Sequence, residues 1–273
     1  MDELAPVNAD FELSAVDTSS TPGLEKKKNA ARQLAANAAE LGDLQERLYA
    51  DARDGGGRSV LLVLQAMDTA GKGGIIRHVV GAVDPQGVNL HAFKAPSAEE
   101  KQHDFLWRIR NRLPVAGQIG VFDRSHYEDV LIQRVHQYAP PDVIEARYGQ
   151  IVDFEKEVVA SGTAILKVML HISADEQKAR LEARLDRVDK QWKYNPGDVD
   201  ERMHWRAYQE AYQIALTHTS TPEAPWYVVP ANRKAYARWA VQKLLIDALR
   251  TINPQWPAVS YDVASEKVRL AAT

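Results

Sequence analysis

The 273-residue sequence contains no cysteine. Disulfides, thiolate metal sites and a cysteine nucleophile are therefore excluded. No uninterrupted apolar run approaches the ~18–20 residues that a membrane span needs. The beginning, Met1-Asp2-Glu3-Leu4-Ala5-Pro6, has neither a basic segment nor a long apolar one. No secretory leader is read there, and a cytoplasmic protein with no membrane partner is expected. An excess of one charge is also missing, with 34 bases against 37 acids and a net charge of −3. Six of the acids (Asp2, Glu3, Asp10, Glu12, Asp17, Glu25) and three of the bases (Lys26, Lys27, Lys28) fall in the first 28 residues. With those six acids and three bases set aside from the totals of 37 and 34, the remaining chain balances 31 against 31. Bulk charge thus argues against nucleic acid as a partner. Any polyanion site must be a local concentration of bases.

What is present is an ordinary globular composition, 45% hydrophobic and 26% charged, which excludes disorder over most of the chain. Residues 1–25 are acidic and lack sustained periodicity, and are read as an N-terminal arm, either poorly ordered or strapped over the body. Residues 26–52 carry Leu34, Ala38, Leu41, Gln45 and Leu48 at helical spacing, which predicts a helix stopped by Gly55-Gly56-Gly57. The short apolar run Val60-Leu61-Leu62-Val63-Leu64 predicts a buried parallel strand. Further strands are expected over 88–93, 119–122, 164–172 and 226–229. Ser97-x-x-Glu100 and Ser173-x-x-Glu176 are capping-box starts for two of the helices between them. Strands alternating with helices predict a parallel α/β sheet with helices on both faces. The body is expected over 26–257 as one domain, with Asn253-Pro254-Gln255-Trp256-Pro257 ending its last helix and a tail over 258–273.

The first chemical signal follows the first strand: Gln65-Ala66-Met67-Asp68-Thr69-Ala70-Gly71-Lys72-Gly73-Gly74. A strand feeds a tight loop, and an amphipathic helix follows. Such a loop offers backbone N–H groups to phosphates, here from Thr69, Ala70, Gly71, Gly73 and Gly74. Lys72 adds a point charge for terminal phosphates. The pattern approximates a P-loop with two departures. Ala66 replaces the first Gly, and Gly73 replaces the Ser/Thr that usually helps hold magnesium. A surface turn with a solvated lysine is the alternative.

The second signal is Ile119-Gly120-Val121-Phe122-Asp123-Arg124-Ser125-His126-Tyr127-Glu128. An apolar strand ends in an acid, as in a Walker B strand. Asp123 is then expected at the carboxyl edge of the sheet, where open α/β sheets bind ligands. Arg124 could clamp phosphoryl oxygens.

The third signal is a charge-sorted helix over 175–190. With Arg184 at 0° and about 100° per residue, Arg180 falls at about −40° and Arg187 at about −60°. Leu181, Leu185 and Val188 occupy a stripe from about +40° to +100°, and Glu182, Asp186 and Asp189 lie about 140–200° away. Ordinary solvated helices interleave the signs to gain i,i+4 pairs. Sorted bases instead point to a lid that brings arginines to phosphates, extended by Lys190 and Lys193 into Trp192-Lys193-Tyr194-Asn195-Pro196-Gly197-Asp198; an amphipathic helix with ordinary solvent-facing charges is the alternative. A weaker feature is Lys94 at a strand end, followed by a helix carrying Trp107, Arg108 and Arg112. Arg108 and Arg112 are expected on one face, as a solvated surface or a polyanion track.

Taken in order, AMDTAGKGG, FKAPSAEE with HDFLWRI, FDRSHYEDVL and RLDRVDKQWKYNPGD resemble the family 2 polyphosphate kinases. The resemblance runs from Thr18-Ser19-Ser20-Thr21-Pro22-Gly23 to about Pro257, and FKAPSAEE, HYEDVL and KYNPGD look most like its class III branch. It implies a P-loop kinase core of the thymidylate-kinase type, with a five-stranded parallel sheet and a helical lid around 180–200. It also implies transfer from inorganic polyphosphate to nucleoside mono- and diphosphates, magnesium (or manganese in its place) as cofactor, and a homo-oligomer, dimer or tetramer. Carried over residue by residue, Lys72 would hold the transferring phosphates, and Asp68 and Asp123 would bind the metal or polarise the accepting oxygen. Arg124 would neutralise charge at the transfer point, and Glu128 resembles a second metal-site acid. Arg184, Lys190 and Lys193 would belong to the lid. Many class III members have Asn where this chain has Asp123, which leaves the preference between mono- and diphosphate acceptors open. Two rival readings remain: an ATP-dependent nucleoside or nucleotide kinase, and a nucleotide-binding regulatory protein with a degenerate P-loop.

Overall fold

The computed structural model of the chain describes residues 4–24 and 29–273. After the N-terminal segment come α1 (Ala30–Ala36) and α2 (Ala38–Arg53), then β1 (Ser59–Ala66) and α3 (Lys72–His78). Next are β2 (Val88–Ala92), α4 (Trp107–Arg110), β3 (Ile119–Asp123), α5 (Ile132–Val135) and α6 (Pro141–Ala160). The second half holds β4 (Thr163–His171), α7 (Ala174–Asp186), α8 (Val188–Gln191), α9 (Gly197–Met203) and α10 (Trp205–Thr219). It closes with β5 (Trp226–Pro230), α11 (Lys234–Ile252) and α12 (Val263–Ala271). The five strands pair in parallel in the order β2-β3-β1-β4-β5, so the expected α/β sheet is present.

All eight residues of β1 are buried, because the strand is central and helices cover both faces. Successive side chains alternate between the faces. Val60, Leu62 and Leu64 pack with Leu41, Leu48, Val241 and Leu245 of α2 and α11. Leu61 and Val63 pack with Ile151, Phe154, Ala211 and Ala215 of α6 and α10. Burying each such Leu or Val is worth roughly 1.5–3 kcal/mol, so the apolar run fixes the strand at the centre of the molecule. The chain leaves β3 and crosses to β4 on the other side of β1. That reversal opens a crevice at the carboxyl end of β1, where ligands bind in open α/β sheets.

Four local expectations are revised. The helix over 26–52 is two helices divided at Asn37, which keeps right-handed dihedrals, with the Leu41 N–H bonded to the Asn37 carbonyl across the break; its residues 26–28 lie outside the described residues. The helix over 175–190 ends at Asp186, because Arg187 turns extended (φ −108°, ψ 110°) and binds Asp189 through both Nε and Nη2. Leu185 and Val188 are exposed there, so no core holds a further turn. Ser97 and Glu100 form the reciprocal cap at 2.7 and 3.2 Å, but it opens only a 3-10 turn, Glu100–Gln102. Arg112 lies beyond α4, so Arg108 and Arg112 share no helix face. The N-terminal segment is a strap: the Val7 N–H donates to the Trp226 carbonyl at 2.8 Å, and Leu13 and Leu24 are buried.

Candidate active site at the carboxyl edge of the sheet

The phosphate-loop candidate begins where β1 ends. Ala66 is still in strand register, opposite Leu170. It needs no positive φ, so the missing first glycine carries no backbone cost. The turn comes later, at Thr69 (φ 65°) and Gly71 (φ 124°). Glycine suits the second, because an L side chain rarely adopts that conformation. A Cβ on Gly73 would meet nothing within 4 Å. The usual hydroxyl is absent there, so carboxylates are left to face a cation.

Lys72 points back across the loop to the Ala66 carbonyl at 3.4 Å and to Asp123 Oδ1 at 3.8 Å. Asp123 ends β3, beside β1. Arg124 follows with φ 64°, a left-handed conformation that costs a non-glycine residue roughly 1–3 kcal/mol. The turn is pinned by the Arg124 N–H donating to the Leu64 carbonyl at 3.0 Å. Its guanidinium then reaches Asp68 Oδ1 at 2.9 Å. Burial alone would lower the Arg124 pKa, but the carboxylates of Glu128 and Asp68 outweigh it and raise it. Burial raises the pKa of Glu128, against the pull of Arg124 and Lys72. In the amide orientation that satisfies both its ends, Gln65 donates to Glu128 Oε1 at 3.0 Å. It also accepts from the Ser125 N–H (3.1 Å) and Oγ (3.0 Å).

On α7, Arg184 donates to the Lys193 carbonyl at 3.1 Å and to Asp198 Oδ2 at 3.2 Å. Glu201 of α9 accepts from Tyr208 OH and pairs with His136 at 3.0 Å, tying α9 to α10 and to the end of α5. Three clefts adjoin. The first, about 430 Å³, is lined by Asp68, Thr69, Ala70, Gly71, Lys72, Gly73, Gly74, Asp123, Arg124, Arg184 and Lys193, together with Arg77, His78 and Arg238. The second, about 230 Å³, shares Asp68 and Arg124 with it and adds Glu128, Asp198, Tyr208 and Tyr212. The third, about 420 Å³, shares Arg124 and Glu128 with the second and contains Phe93, Lys94, Pro96 and Tyr138.

The structure therefore brings most of the expected residues to one edge, with four exceptions. The helical stripe predicts a phosphate-facing Arg180. Instead its guanidinium is buried beneath the loop, bonded to the Thr69, Ala70, Ala231 and Asn232 carbonyls. Arg187 and Lys190 lie out on the lid, both paired with Asp189. Arg108, a candidate for the track, is instead buried and donates to the Lys94 carbonyl at 2.9 Å.

Sequence reasoning missed Arg77, Arg238 and Lys234. None of the three forms an ion pair among the described residues. Burial and then Arg77 lower the Arg238 pKa. Burial lowers that of Lys234, with Arg180, Arg238 and Arg187 adding to it against Glu176. The available signal was Lys234 and Arg238 at i,i+4, a like-charge pair that weakens a helix and so calls for a reason.

Among the described residues no three His, Asp or Glu side chains are grouped to hold a metal. Asp68 and Asp123, at one cleft, instead suit a hydrated magnesium ion completed by substrate phosphates, because magnesium keeps several waters and takes one or two carboxylates. Converging cations, two acids and a glycine-turned loop are equipped for phosphoryl transfer, in which positioning and charge neutralisation do most of the catalysis.

The model of the Polyphosphate kinase 2 (PPK2) family matches residues 24–257. An AMP/ADP-polyphosphate phosphotransferase of Meiothermus ruber is 45% identical over 259 residues, 94% of this chain and 95% of its own. An ADP-polyphosphate phosphotransferase of Rhodopseudomonas palustris is 41% identical over 262 residues, covering 90% and 88%. The crystal structure of Polyphosphate Kinase 2 from Arthrobacter aurescens TC1 superimposes with a TM-score of 0.96 at 55% identity, covering 98% of this chain and 95% of that one.

Proposed function

The chain belongs to the polyphosphate kinase 2 family, and on that premise we propose that it transfers a phosphoryl group from inorganic polyphosphate to nucleoside mono- and diphosphates. The observation that carries this reading is a first cleft whose cations exceed the acids facing them. Lys72 and Arg124 each meet a carboxylate there, and Arg184 meets Asp198 of the adjoining second cleft. Arg77 and Arg238 have none and continue the cationic surface outward toward Lys234. A nucleoside triphosphate is short enough to be held by the loop and lid alone. A long linear polyanion uses cations spread beyond them, so Arg77, Arg238 and Lys234 support a polyphosphate donor.

The acceptor reading rests on the second and third clefts, which place Tyr208, Tyr212, Phe93 and Tyr138 behind Arg124 and Glu128. The aromatic rings offer apolar faces for a base, and Lys94 offers a charge for its phosphates. In the reaction, an oxygen of the acceptor's terminal phosphate forms a bond to the end phosphorus of the donor. The bond from that phosphorus to its bridging oxygen breaks. The electron pair stays on the bridging oxygen, which becomes the new terminal oxygen of the shortened chain. Lys72 and Arg124 face the transferred group, and Arg184 reaches it from the lid. Each exchanges a carboxylate partner for phosphate oxygens. Magnesium, held by Asp68 and Asp123, would supply further charge neutralisation when bound.

Homo-oligomerisation is supported by the apolar tail, where Val268 and Leu270 of α12 are exposed. The test of function is product formation from AMP, ADP and GDP with long-chain polyphosphate and no ATP. Nucleoside di- and triphosphates are the expected products. Phosphorylation that requires ATP would favour the ATP-dependent kinase, and binding without turnover would favour the regulatory protein.

A further inference from the structure

Arg180 is the most heavily committed side chain near the cleft. A guanidinium has five N–H donors, and five protein acceptors surround this one. Nε donates to Glu176 Oε1 at 2.7 Å. Nη1 donates to the carbonyls of Thr69 (3.1 Å) and Ala70 (2.7 Å). Nη2 donates to those of Ala231 (2.6 Å) and Asn232 (3.1 Å). The side chain is 6% exposed, and no donor remains for a phosphate. Two of the acceptors belong to the phosphate loop, between its two positive-φ residues, Thr69 and Gly71. A peptide unit is planar and trans. An Ala70 carbonyl held toward Arg180 therefore turns the Gly71 N–H away from it, and Gly71 lines the first cleft.

The other end of the guanidinium grips the segment after β5, which is itself anchored. Asn232 Nδ2 donates to Thr18 Oγ1 at 2.9 Å, Ser19 Oγ at 3.2 Å and Ser173 Oγ at 3.2 Å. Its Oδ1 accepts from the Ser173 N–H at 3.0 Å, and its own N–H donates to the Thr18 carbonyl at 3.1 Å. Arg233 Nε adds a bond to the Ser19 carbonyl at 2.9 Å. A continuous chain of hydrogen bonds thus runs from Thr18-Ser19 in the N-terminal strap, through Asn232 and Arg180, to the carbonyls of Thr69 and Ala70.

We propose that Arg180 is the positioning residue of the phosphate loop and that the Thr18–Ser19 strap braces it through Asn232. The proposal rests on the function proposed above for what the loop does, but not for how the loop is held. Arg180→Lys keeps the charge but offers only three donors to five acceptors. The expected result is a kcat lower by at least about tenfold, the consequence of a slightly misplaced loop. The KM for polyphosphate should stay within about twofold for short and long donors alike, because no phosphate contact is lost. Rates are compared per folded molecule, with melting measured alongside, and amide hydrogen exchange at Ala70–Gly74 should be faster. Asn232→Ala should give a smaller loss of the same kind. The double variant should be no worse than Arg180→Lys alone, the non-additivity expected of residues acting in series.

A donor KM that rises more with longer chains would mean direct phosphate contact and would overturn the proposal. So would unchanged kcat per folded molecule with unchanged exchange in the loop. Fully additive losses would break the link through Asn232. If the wild-type protein does not use polyphosphate at all, the proposed function fails, and the exchange measurement still decides whether Arg180 holds the loop.

Discussion

Arg238→Ala tests the donor path by pairing two effects of opposite sign. Arg238 stands on α11 with its guanidinium 3.5 Å from where a Cβ on Gly74 would lie, beside the phosphate loop. Its pKa is lowered by burial and by Arg77, and no acid acts in the other direction. In the absence of a donor this is an unrewarded repulsion, so its removal should leave stability unchanged or raised by up to about 0.5 kcal/mol, the ordinary range for a surface position. Donor binding should suffer instead. A hydrogen bond to a charged group contributes about 1.5–3 kcal/mol net. Arg238 is only partly buried, so solvent compensates for part of the loss and the low end applies. About 1.4 kcal/mol corresponds to a tenfold weaker donor affinity. By analogy with single-stranded nucleic acid, one lost phosphate contact should also reduce the salt slope of donor binding by about 0.7. The assay is steady-state ATP formation from ADP with donors of a few and of many tens of phosphates, at two salt concentrations, with melting measured in parallel. The KM for the long donor should rise more than that for the short one. A rise equal for both, or a fall in kcat with the donor KM untouched, would refute a path that runs over α3 and α11.

Lys72→Met should fold normally and lose at least about 10²-fold in kcat, since it removes a positive charge from the transferring group; a near-normal rate in single-turnover experiments would defeat the phosphate-loop assignment. Asp123→Asn removes the carboxylate that faces Lys72 at 3.8 Å and should retain partial activity with an altered AMP-to-ADP ratio, read by competition between the two acceptors; an unchanged ratio would separate Asp123 from acceptor choice. Arg184→Ala should lower kcat strongly, while Glu182→Ala, on an exposed face and paired with Lys178 at 3.8 Å, should change it little; equal small losses in both would make Arg184 a solvated charge. Burial lowers the His171 pKa from 6.5 to about 4, so the unfolded chain binds more protons between those values and stability falls as pH drops from 6.5 to 4. His171→Gln should flatten that part of the melting profile by up to about 3 kcal/mol, and an identical acid slope in both proteins would contradict the burial.

Most strands were legible because β1, β3 and β5 are apolar runs closed by a turn; β2 alternates on a half-exposed edge, and β4 carries Lys167 within its apolar run. The phosphate loop and the Asp123-Arg124 turn were legible for a related reason: both sit where a strand must end, so sequence position alone brings them to the carboxyl edge. Arg77, Arg238 and Lys234 were not legible as a group. Arg77 and Arg238 are 161 residues apart, and only the packing of α11 beside α3 brings them to one cleft. The network around Lys167, which donates to Glu155 Oε2 at 2.5 Å and to the Thr219 carbonyl at 2.7 Å, was hidden for the opposite reason. A lysine within an apolar strand resembles an isolated exception until Glu155 of α6 is seen to face it.

The arginines of the lid helix show where periodicity stops being informative. Arg180 and Arg184 are one turn apart and lie within about 40° of each other around the axis, so the sequence assigns them the same role. An angle says which way a side chain points, and says nothing of how deep that part of the helix sits. α7 begins against the body, where the Ser173 side chain caps it and Arg202 Nη1 reaches the Ala174 carbonyl at 2.6 Å. It runs outward until Leu185 is exposed near its end, as is Val188 just beyond it. The same stripe therefore crosses from interior to cleft within one turn. The inner arginine is surrounded by protein acceptors, two of them carbonyls of the loop, and has no donor left for a ligand. The outer one has Asp198 and the Lys193 carbonyl as its partners and lines the first cleft. Charge sorting along a helix thus identifies the face turned toward the cleft, and burial along the axis decides which of its arginines is committed to protein acceptors and which lines the cleft.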